Sequence, residues 1–358
     1  MFALTEEQTL IRETAGRYLA DNFDFTARQK ALALGYGLDR ARWQEFAEMG
    51  WLGLPFAEEL GGAGGTLMDA AILCEQFGRF LMMTPYATAV AGAGHVLART
   101  GASPDLLAGL ISGKCVLACA LTDGDGAVRT DTLGQALTLS GTKIAAPFAG
   151  DADHLLVSAE GGTVLCLIPA SDAKISTYRT YDGAEAGDVT FTAAAVPPSM
   201  ILSTDADTLS LLEDTLTALA CAEASGIMWA LQEQTLEYLK TREQFGNRLS
   251  SFQALQHRLV DVYVTCQLAQ SMAWDAVAAL EDGCTPEERS RRVSAAKAFV
   301  SEAGRKLGQE CVQLHGGIGM TDEIPVGHGL KRLTAISIQH GDAPHHRRRF
   351  RRLDPLAL

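Results

Sequence analysis

The residues best suited to chemistry stand in two short runs. The first is Thr241-Arg242-Glu243-Gln244-Phe245-Gly246, followed by Ser251-Phe252-Gln253. The second is Gln313-Leu314-His315-Gly316-Gly317-Ile318-Gly319. A guanidinium offers paired N–H donors to phosphate oxygens, and adjacent glycines let backbone N–H groups come close to an anion. Arg242 supplies the first and Gly316 with Gly317 the second, a combination that suits a pyrophosphate. Taken singly, each has an ordinary reading, Arg242 as a solvated surface cation and Gly316-Gly317 as a helix end followed by a turn. The tail His345-His346-Arg347-Arg348-Arg349-Phe350-Arg351-Arg352 concentrates five arginines in six residues. Such a field either binds phosphates or an acidic partner surface, or is simply solvated or folded back onto an acidic body.

Composition narrows the rest. Thirty Lys and Arg against forty-three Asp and Glu give a formal charge of −13, which argues against a general nucleic-acid binder. The eight cysteines are scattered with no C-x-x-C pair, which suits reduced, buried thiols in a cytoplasm and neither a disulfide framework nor a metal site. No run reaches the ~18 apolar residues of a membrane span, and the polar Thr5-Glu6-Glu7-Gln8 start does not read as a signal peptide. The cluster Gly61, Gly62, Gly64 and Gly65 lacks the Lys-Ser or Lys-Thr of a phosphate loop and reads as a flexible helix connector.

The elements that must position these residues fall into three regions, with boundaries expected at 1–113, 114–204 and 205–358. In the first, Thr5 with Gln8 reads as a capping box, and Leu10, Ile11, Ala15, Tyr18 and Leu19 follow at helical spacing. A second amphipathic piece carries Trp43, Phe46 and Met49 and stops at Gly50. The middle region switches to period two, with strands predicted at 116–121, 137–139, 155–157 and 164–168, the pattern of a small β-barrel or sandwich. The last region is helical again, with long elements predicted over 209–238, 252–280 and 287–314. Ala296, Phe299, Val300, Ala303, Leu307, Cys311 and Leu314 form one apolar stripe there, and helices of this length pack as a four-helix bundle. The expected fold class is therefore multidomain α+β, with a helical N-terminal domain, a central β domain and a C-terminal bundle.

The two runs resemble the signatures of the flavin-dependent acyl-CoA dehydrogenases. Their order matches, with R-x-x-F-G and F-Q opening the helical domain and Q-x-x-G-G-x-G near its far end, and Leu139-Ser140-Gly141-Thr142-Lys143 matches in the strand region. The resemblance covers essentially the whole chain. It implies that Arg242, Phe245, Gln253, Gln313, Gly316 and Gly317 contact FAD, reaching across a subunit interface to a neighbour's ADP half. It also implies an oligomer, an acyl-CoA substrate and electron-transfer flavoprotein as acceptor. The implied reaction is α,β-desaturation of the thioester, in which a carboxylate takes the α-proton while the β-hydrogen leaves as hydride to the flavin.

That carboxylate is missing from both family locations. Where the Glu of a Glu-Gly-Thr turn belongs, this chain has Ile338-Gln339-His340-Gly341-Asp342. Ten residues before Gly226, the alternative location, stands Leu216; Glu213 or Glu223 would serve only if the alignment slipped. His340 is then the candidate base, since imidazole titrates near neutrality, or else a histidine that caps a helix end or pairs with Asp342. The strand region departs as well. Leu121-Thr122-Asp123-Gly124-Asp125-Gly126 keeps Thr122 as the flavin-contacting threonine but loses the Ser-Asp that follows, and Ala145-Ala146-Pro147 replaces Trp-x-Thr.

The losses fall on the chain's own flavin-ring half, and the elements serving a neighbour's FAD survive. Three readings follow: a support subunit in a heterotetramer of paralogues, resembling the bacterial steroid-type enzymes; a self-sufficient homo-oligomer with His340 as base; or a binding or scaffold protein on the same fold. The small residues of 61–65 and 218–225 hint at room for a bulky, ring-bearing acyl group.

Overall fold

The computed structural model describes residues 3–35, 37–133 and 136–353. The capping box forms: the Thr5 hydroxyl accepts from Gln8 N at 3.1 Å and Gln8 Oε1 accepts from Thr5 N at 3.2 Å. It starts α1 (Glu6–Asn22), which buries Ala15 and Leu19. There follow α2 (Phe25–Leu34), α3 (Arg40–Glu48), α4 (Leu67–Arg79), a π-helical run (Ala87–Gly94), α5 (His95–Thr100) and α6 (Pro104–Ile111). Asp39 caps α3 by accepting from Ala41 N and Arg42 N, and Trp43 and Phe46 are buried beneath it. The glycine connector before α4 is close-packed. A Cβ on Gly62 would lie 2.1 Å from Phe56 O, and one on Gly65 2.7 Å from Leu54 O. Glycine serves close backbone approach at these two positions, which corrects the reading of the cluster as a flexible link.

Strands occupy the middle of the chain: β1 (Leu117–Ala120), β2 (Arg129–Leu133), β3 (Ala136–Pro147), β4 (His154–Ala159), β5 (Val164–Pro169), β6 (Lys174–Arg179), β7 (Glu185–Val196) and β8 (Ile201–Ser203). They form two four-stranded sheets, ordered β1-β4-β5-β8 and β2-β3-β7-β6. Ala118, Leu155, Val157 and Cys166 of the first sheet share one buried core with Leu139, Val189 and Phe191 of the second. This is a sandwich, antiparallel throughout except for the parallel β1–β4 pair.

The remainder is helical: α7 (Ala206–Thr241), a ribbon of β9 (Glu243–Gln244) and β10 (Asn247–Arg248), α8 (Gln253–Ala278), α9 (Pro286–His315), α10 (Pro325–Ile338) and α11 (Ala343–Leu353). Contacts divide the chain into two compact units, each discontinuous in sequence. One holds Ala31–Ala70 and Thr84–Leu216 and contains the sandwich; the other holds Met1–Lys30, Ala71–Met83 and Thr217–Leu358 and contains the bundle.

Within the bundle unit, α9 packs against α8, α10 and α11. The α4 and α7 backbones touch: a Cβ on Gly226 would lie 1.9 Å from Glu75 O, and one on Gly78 2.1 Å from Glu223 O. The small residues from Ala218 to Ser225 are almost all buried in core packing. The α9 stripe divides in two. Ala296, Val300, Cys311 and Leu314 are buried, whereas Phe299, Ala303 and the buried Leu307 line a groove of about 780 Å³ shared with α8 and Arg347 of α11. All eight cysteines are free thiols, seven of them buried. Among the described residues no helix is long and apolar enough to cross a membrane, and no His, Cys, Asp and Glu cluster could hold a metal ion.

Candidate functional site

The first motif leaves the end of α7 as a tight hairpin. Asn247 pairs with Gln244 and Arg248 with Glu243, and both residues of the turn between them have positive φ: 55° at Phe245 and 74° at Gly246. That is the pattern of a type I′ turn, which glycine accepts freely and phenylalanine accepts at about 1–2 kcal/mol. Phe245 gains little among the described residues in return, since it is 90% exposed and meets the edge of Phe252, 6.4 Å away. Arg242 is exposed beside it and its guanidinium has no partner among the described residues; its carbonyl accepts from Leu249 N at 2.8 Å and closes the loop. Gln253 begins α8, likewise exposed.

The second motif ends α9 at the same end of the bundle. Buried His315 stacks on Tyr238 of α7, ring centroids 4.5 Å apart, and its Nδ1 bonds Cys311 O at 2.8 Å. This stack holds the end of α9 against the last turn of α7, from which Arg242 departs. Gly316 takes φ 67°, ψ −145°, a conformation open to glycine and little else. A Cβ on Gly316 or Gly317 would meet nothing within 4 Å, whereas one on Gly319 would strike Val312 O at 2.7 Å. Gly319 therefore serves internal packing, and Gly316-Gly317 presents bare backbone outward. Gln313 is exposed on the turn before it.

His340 follows α10 in a left-handed conformation, φ 55°. Its carbonyl accepts from His346 Nε2 at 2.8 Å, and the ammonium of Lys297, itself fully buried, donates to Ile336 O and Gly341 O at 2.9 Å each and to Ser301 Oγ at 3.0 Å. The turn is thus pinned from both sides. The imidazole is open to solvent and has no hydrogen bond among the described residues, so it neither caps a helix nor pairs with Asp342. Yet the protein mass around it is dense: desolvation, then the positive charges of Lys297, His346 and Arg332, push its pKa down to about 4. At neutral pH the ring is therefore uncharged. Burial also pushes Lys297 down to about 8, Cys221 and Asp342 opposing, so it stays largely an ammonium at pH 7.

The alternative carboxylates are engaged elsewhere or do not exist. Glu223 accepts a two-pronged bond from Arg332 at 2.6 and 2.8 Å, and Leu216 is a buried apolar residue. Glu213 is exposed on α7 and lies in the sandwich unit, where its charge acts on Lys143.

Thr122 also belongs to the sandwich unit, exposed on the turn after β1, its carbonyl accepting from Ile144 N at 2.9 Å. The turn is stapled from below by Lys143, a buried lysine that donates to Leu121 O at 3.1 Å, Asp123 Oδ1 at 2.5 Å and Ser158 Oγ at 3.0 Å. Burial lowers its pKa and Asp123 opposes the shift.

Comparison with known proteins accounts for this arrangement. Residues 5–104 match the acyl-CoA dehydrogenase N-terminal domain and residues 215–352 the acyl-CoA dehydrogenase C-terminal domain. The acyl-CoA dehydrogenase IpdE2 of Mycobacterium tuberculosis is 30% identical over 319 residues, covering 89% of this chain and 88% of that one. The chain belongs to the acyl-CoA dehydrogenase family. Among solved structures, the Tcur3481-Tcur3483 steroid acyl-CoA dehydrogenase is 29% identical with a TM-score of 0.90, covering 97% of both chains. The ChsE4-ChsE5 complex from Mycobacterium tuberculosis shares the fold at a TM-score of 0.92 and 24% identity, covering 98% of both chains.

As an acyl-CoA dehydrogenase, the protein is an FAD-dependent oxidoreductase acting on CH–CH bonds. The outward face at the Tyr238–His315 end suits part of that cofactor: a guanidinium without a partner among the described residues, two exposed glutamines and glycine backbone with open space before it. Sequence reasoning did not find Lys297 or Lys143. For Lys297 the signal was present as a lysine inside an apolar stripe, between Ala296 and Phe299; for Lys143 it was the last residue of the strand motif already noted.

Proposed function

We propose that this acyl-CoA dehydrogenase acts as the subunit that completes the FAD site of a paralogous partner, in α,β-desaturation of an acyl-CoA thioester. One observation carries the proposal. The side chains aimed outward (Arg242, Phe245, Gln253 and Gln313) are exposed, whereas His340, at the base position, is uncharged at neutral pH and lies near the positive charges of Lys297 and Arg332. A cationic setting favours an ionised carboxylate and disfavours a protonated imidazole, so the charges around the turn suit the residue this chain has lost. Arg242 would grip the partner's FAD pyrophosphate bidentately, with Gly316 and Gly317 offering backbone N–H groups and Gln253 and Gln313 offering amides. When bound, FAD supplies the hydride-accepting chemistry. Two further observations support a partner chain. Val260, Tyr263, Val264 and Leu268 form an exposed apolar stripe on α8, the helix that Gln253 begins. The steroid acyl-CoA dehydrogenase of 29% identity is named as a pair of chains, which supports a paralogous heterotetramer and a ring-bearing acyl group; electron-transfer flavoprotein would take the electrons.

Co-expression with a paralogue that keeps the active-site Glu tests the proposal. The complex is expected to carry about half a flavin per chain and to dehydrogenate acyl-CoA, and Arg242→Ala in this subunit is expected to release flavin. A chain that binds one FAD alone and turns over acyl-CoA unaided overturns it. That result would support the second reading, which the openness of the His340 ring favours: a homo-oligomer with His340 as base, whose activity His340→Ala would abolish.

A further inference from the structure

The amphipathic helix α11 divides its cations into two populations. Arg347 pairs with Glu302 at 2.6 Å, and Arg349 donates to Ser290 Oγ at 2.9 Å and Ser294 Oγ at 3.4 Å. His346 is buried, and Phe350 receives the Arg291 guanidinium 5.5 Å from its ring centroid. These residues fold the helix onto the bundle. His345, Arg348, Arg351 and Arg352 do the opposite: all four are exposed and together line a recess of about 390 Å³, and among the described residues no carboxylate lines it. None of the three arginines has an ion-pair partner among the described residues. Asp342, the carboxylate that acts on His345, is already engaged, its Oδ1 accepting from His345 N at 2.8 Å.

The arrangement is costly for a helix standing alone. Arg348 with Arg351 and Arg352 are like-charge pairs three and four residues apart, each unfavourable by roughly 0.2–0.5 kcal/mol. The helix dipole accounts for Arg351 and Arg352 in the last turn but not for Arg348 or His345. A chain of net charge −13 has acidic groups in excess, yet none covers this face among the described residues. Three planar guanidinium groups and an imidazole converging on one recess match the oxygens of a multiply charged phosphate, which guanidinium binds in forked geometry.

We infer that the outer face of α11 is a phosphate-recognition site, built by His345, Arg348, Arg351 and Arg352 for a ligand carrying a pyrophosphate or similarly dense phosphate charge. It is separate from the Arg242 face and does not depend on the FAD proposal. Calorimetric titration of the whole chain with inorganic pyrophosphate, at constant ionic strength, tests it. The double variant Arg348→Gln/Arg352→Gln is expected to weaken binding by about tenfold or more, since charged hydrogen bonds are lost. The lysine pair at the same positions is expected to restore part of it. Arg242→Gln is expected to leave this binding in place. Pyrophosphate that binds the double variant as tightly as the parent, or whose binding is lost in Arg242→Gln instead, overturns the assignment, as does no binding at all. Sedimentation with vesicles of equal phosphatidylglycerol and phosphatidylcholine separates the sources. Vesicle binding lost in the double variant identifies a lipid headgroup, and pyrophosphate binding without vesicle binding identifies a soluble ligand. A thermal melt of the double variant confirms that these exposed substitutions leave the fold intact.

Discussion

At His340, the surrounding charges decide what a side chain in a fixed turn can do. Desolvation leads, and Lys297, Arg332 and, once protonated, His346 act in the same direction on the ring, against protonation. The ring is therefore expected to titrate near pH 4 by NMR and to stay neutral at pH 7; a midpoint at or above the ordinary value of about 6.5 would return it to the role of base. Lys297 is the residue on which the turn depends, because its ammonium is the donor to Ile336 O and Gly341 O. Lys297→Met leaves these carbonyls without that donor in a buried setting, and each loss costs about 1–3 kcal/mol. Urea unfolding is expected to show a destabilisation of about 2–4 kcal/mol. An unchanged midpoint would mean that the turn is held without it.

Between helices, two kinds of glycine give opposite expectations. Gly226 lies where α7 meets the backbone of α4, and a methyl group added there would sit 1.9 Å from Glu75 O, so Gly226→Ala must push the helices apart. We expect a loss of about 4 kcal/mol or more in chemical denaturation, or no folded protein. Gly317 faces open space, so Gly317→Ala should change stability by no more than about 0.5 kcal/mol while weakening flavin retention in the co-expressed complex. A Gly317 variant that unfolds the chain, or retains flavin fully, would remove the case for an outward backbone cradle. The same contrast explains what could be read from sequence. The capping box at Thr5, the long periodic helices and the alternating strands declare themselves locally, because each depends on residues a few positions apart. The helix–strand–helix plan followed from them, and the two motifs carried the family. What stayed hidden depends on partners distant in sequence. Nothing near Gly226 announces Glu75, nothing near Lys297 announces the carbonyls after α10, and the α9 stripe gives no sign that Phe299 and Ala303 face a groove rather than the core. The glycines at 62 and 65 looked like freedom for the same reason, since the carbonyls they meet lie in a folded-back turn.

Across the whole molecule, protonation links both units to stability. Burial leads the depression of His95 in the sandwich unit and of His346 and His340 in the bundle unit, each to about 4. These are folded-state values below the unfolded value of about 6.5, so between pH 6.5 and 4 the unfolded chain binds protons that the folded chain refuses. Their contribution to stability is complete above about pH 6.5 and is lost as pH falls through that window. Glu75, whose pKa burial raises, works the other way, because its folded form takes up a proton before its unfolded form does. A fall in Tm on acidification is therefore not diagnostic by itself, and the histidine share must be isolated. His346→Gln does so: the amide can still donate to the His340 carbonyl but cannot titrate. Between about pH 7 and about pH 5 the parent chain is expected to lose thermal stability, and the variant to lose measurably less. Equal losses in the two proteins would show that His346 is protonated as readily in the fold as outside it.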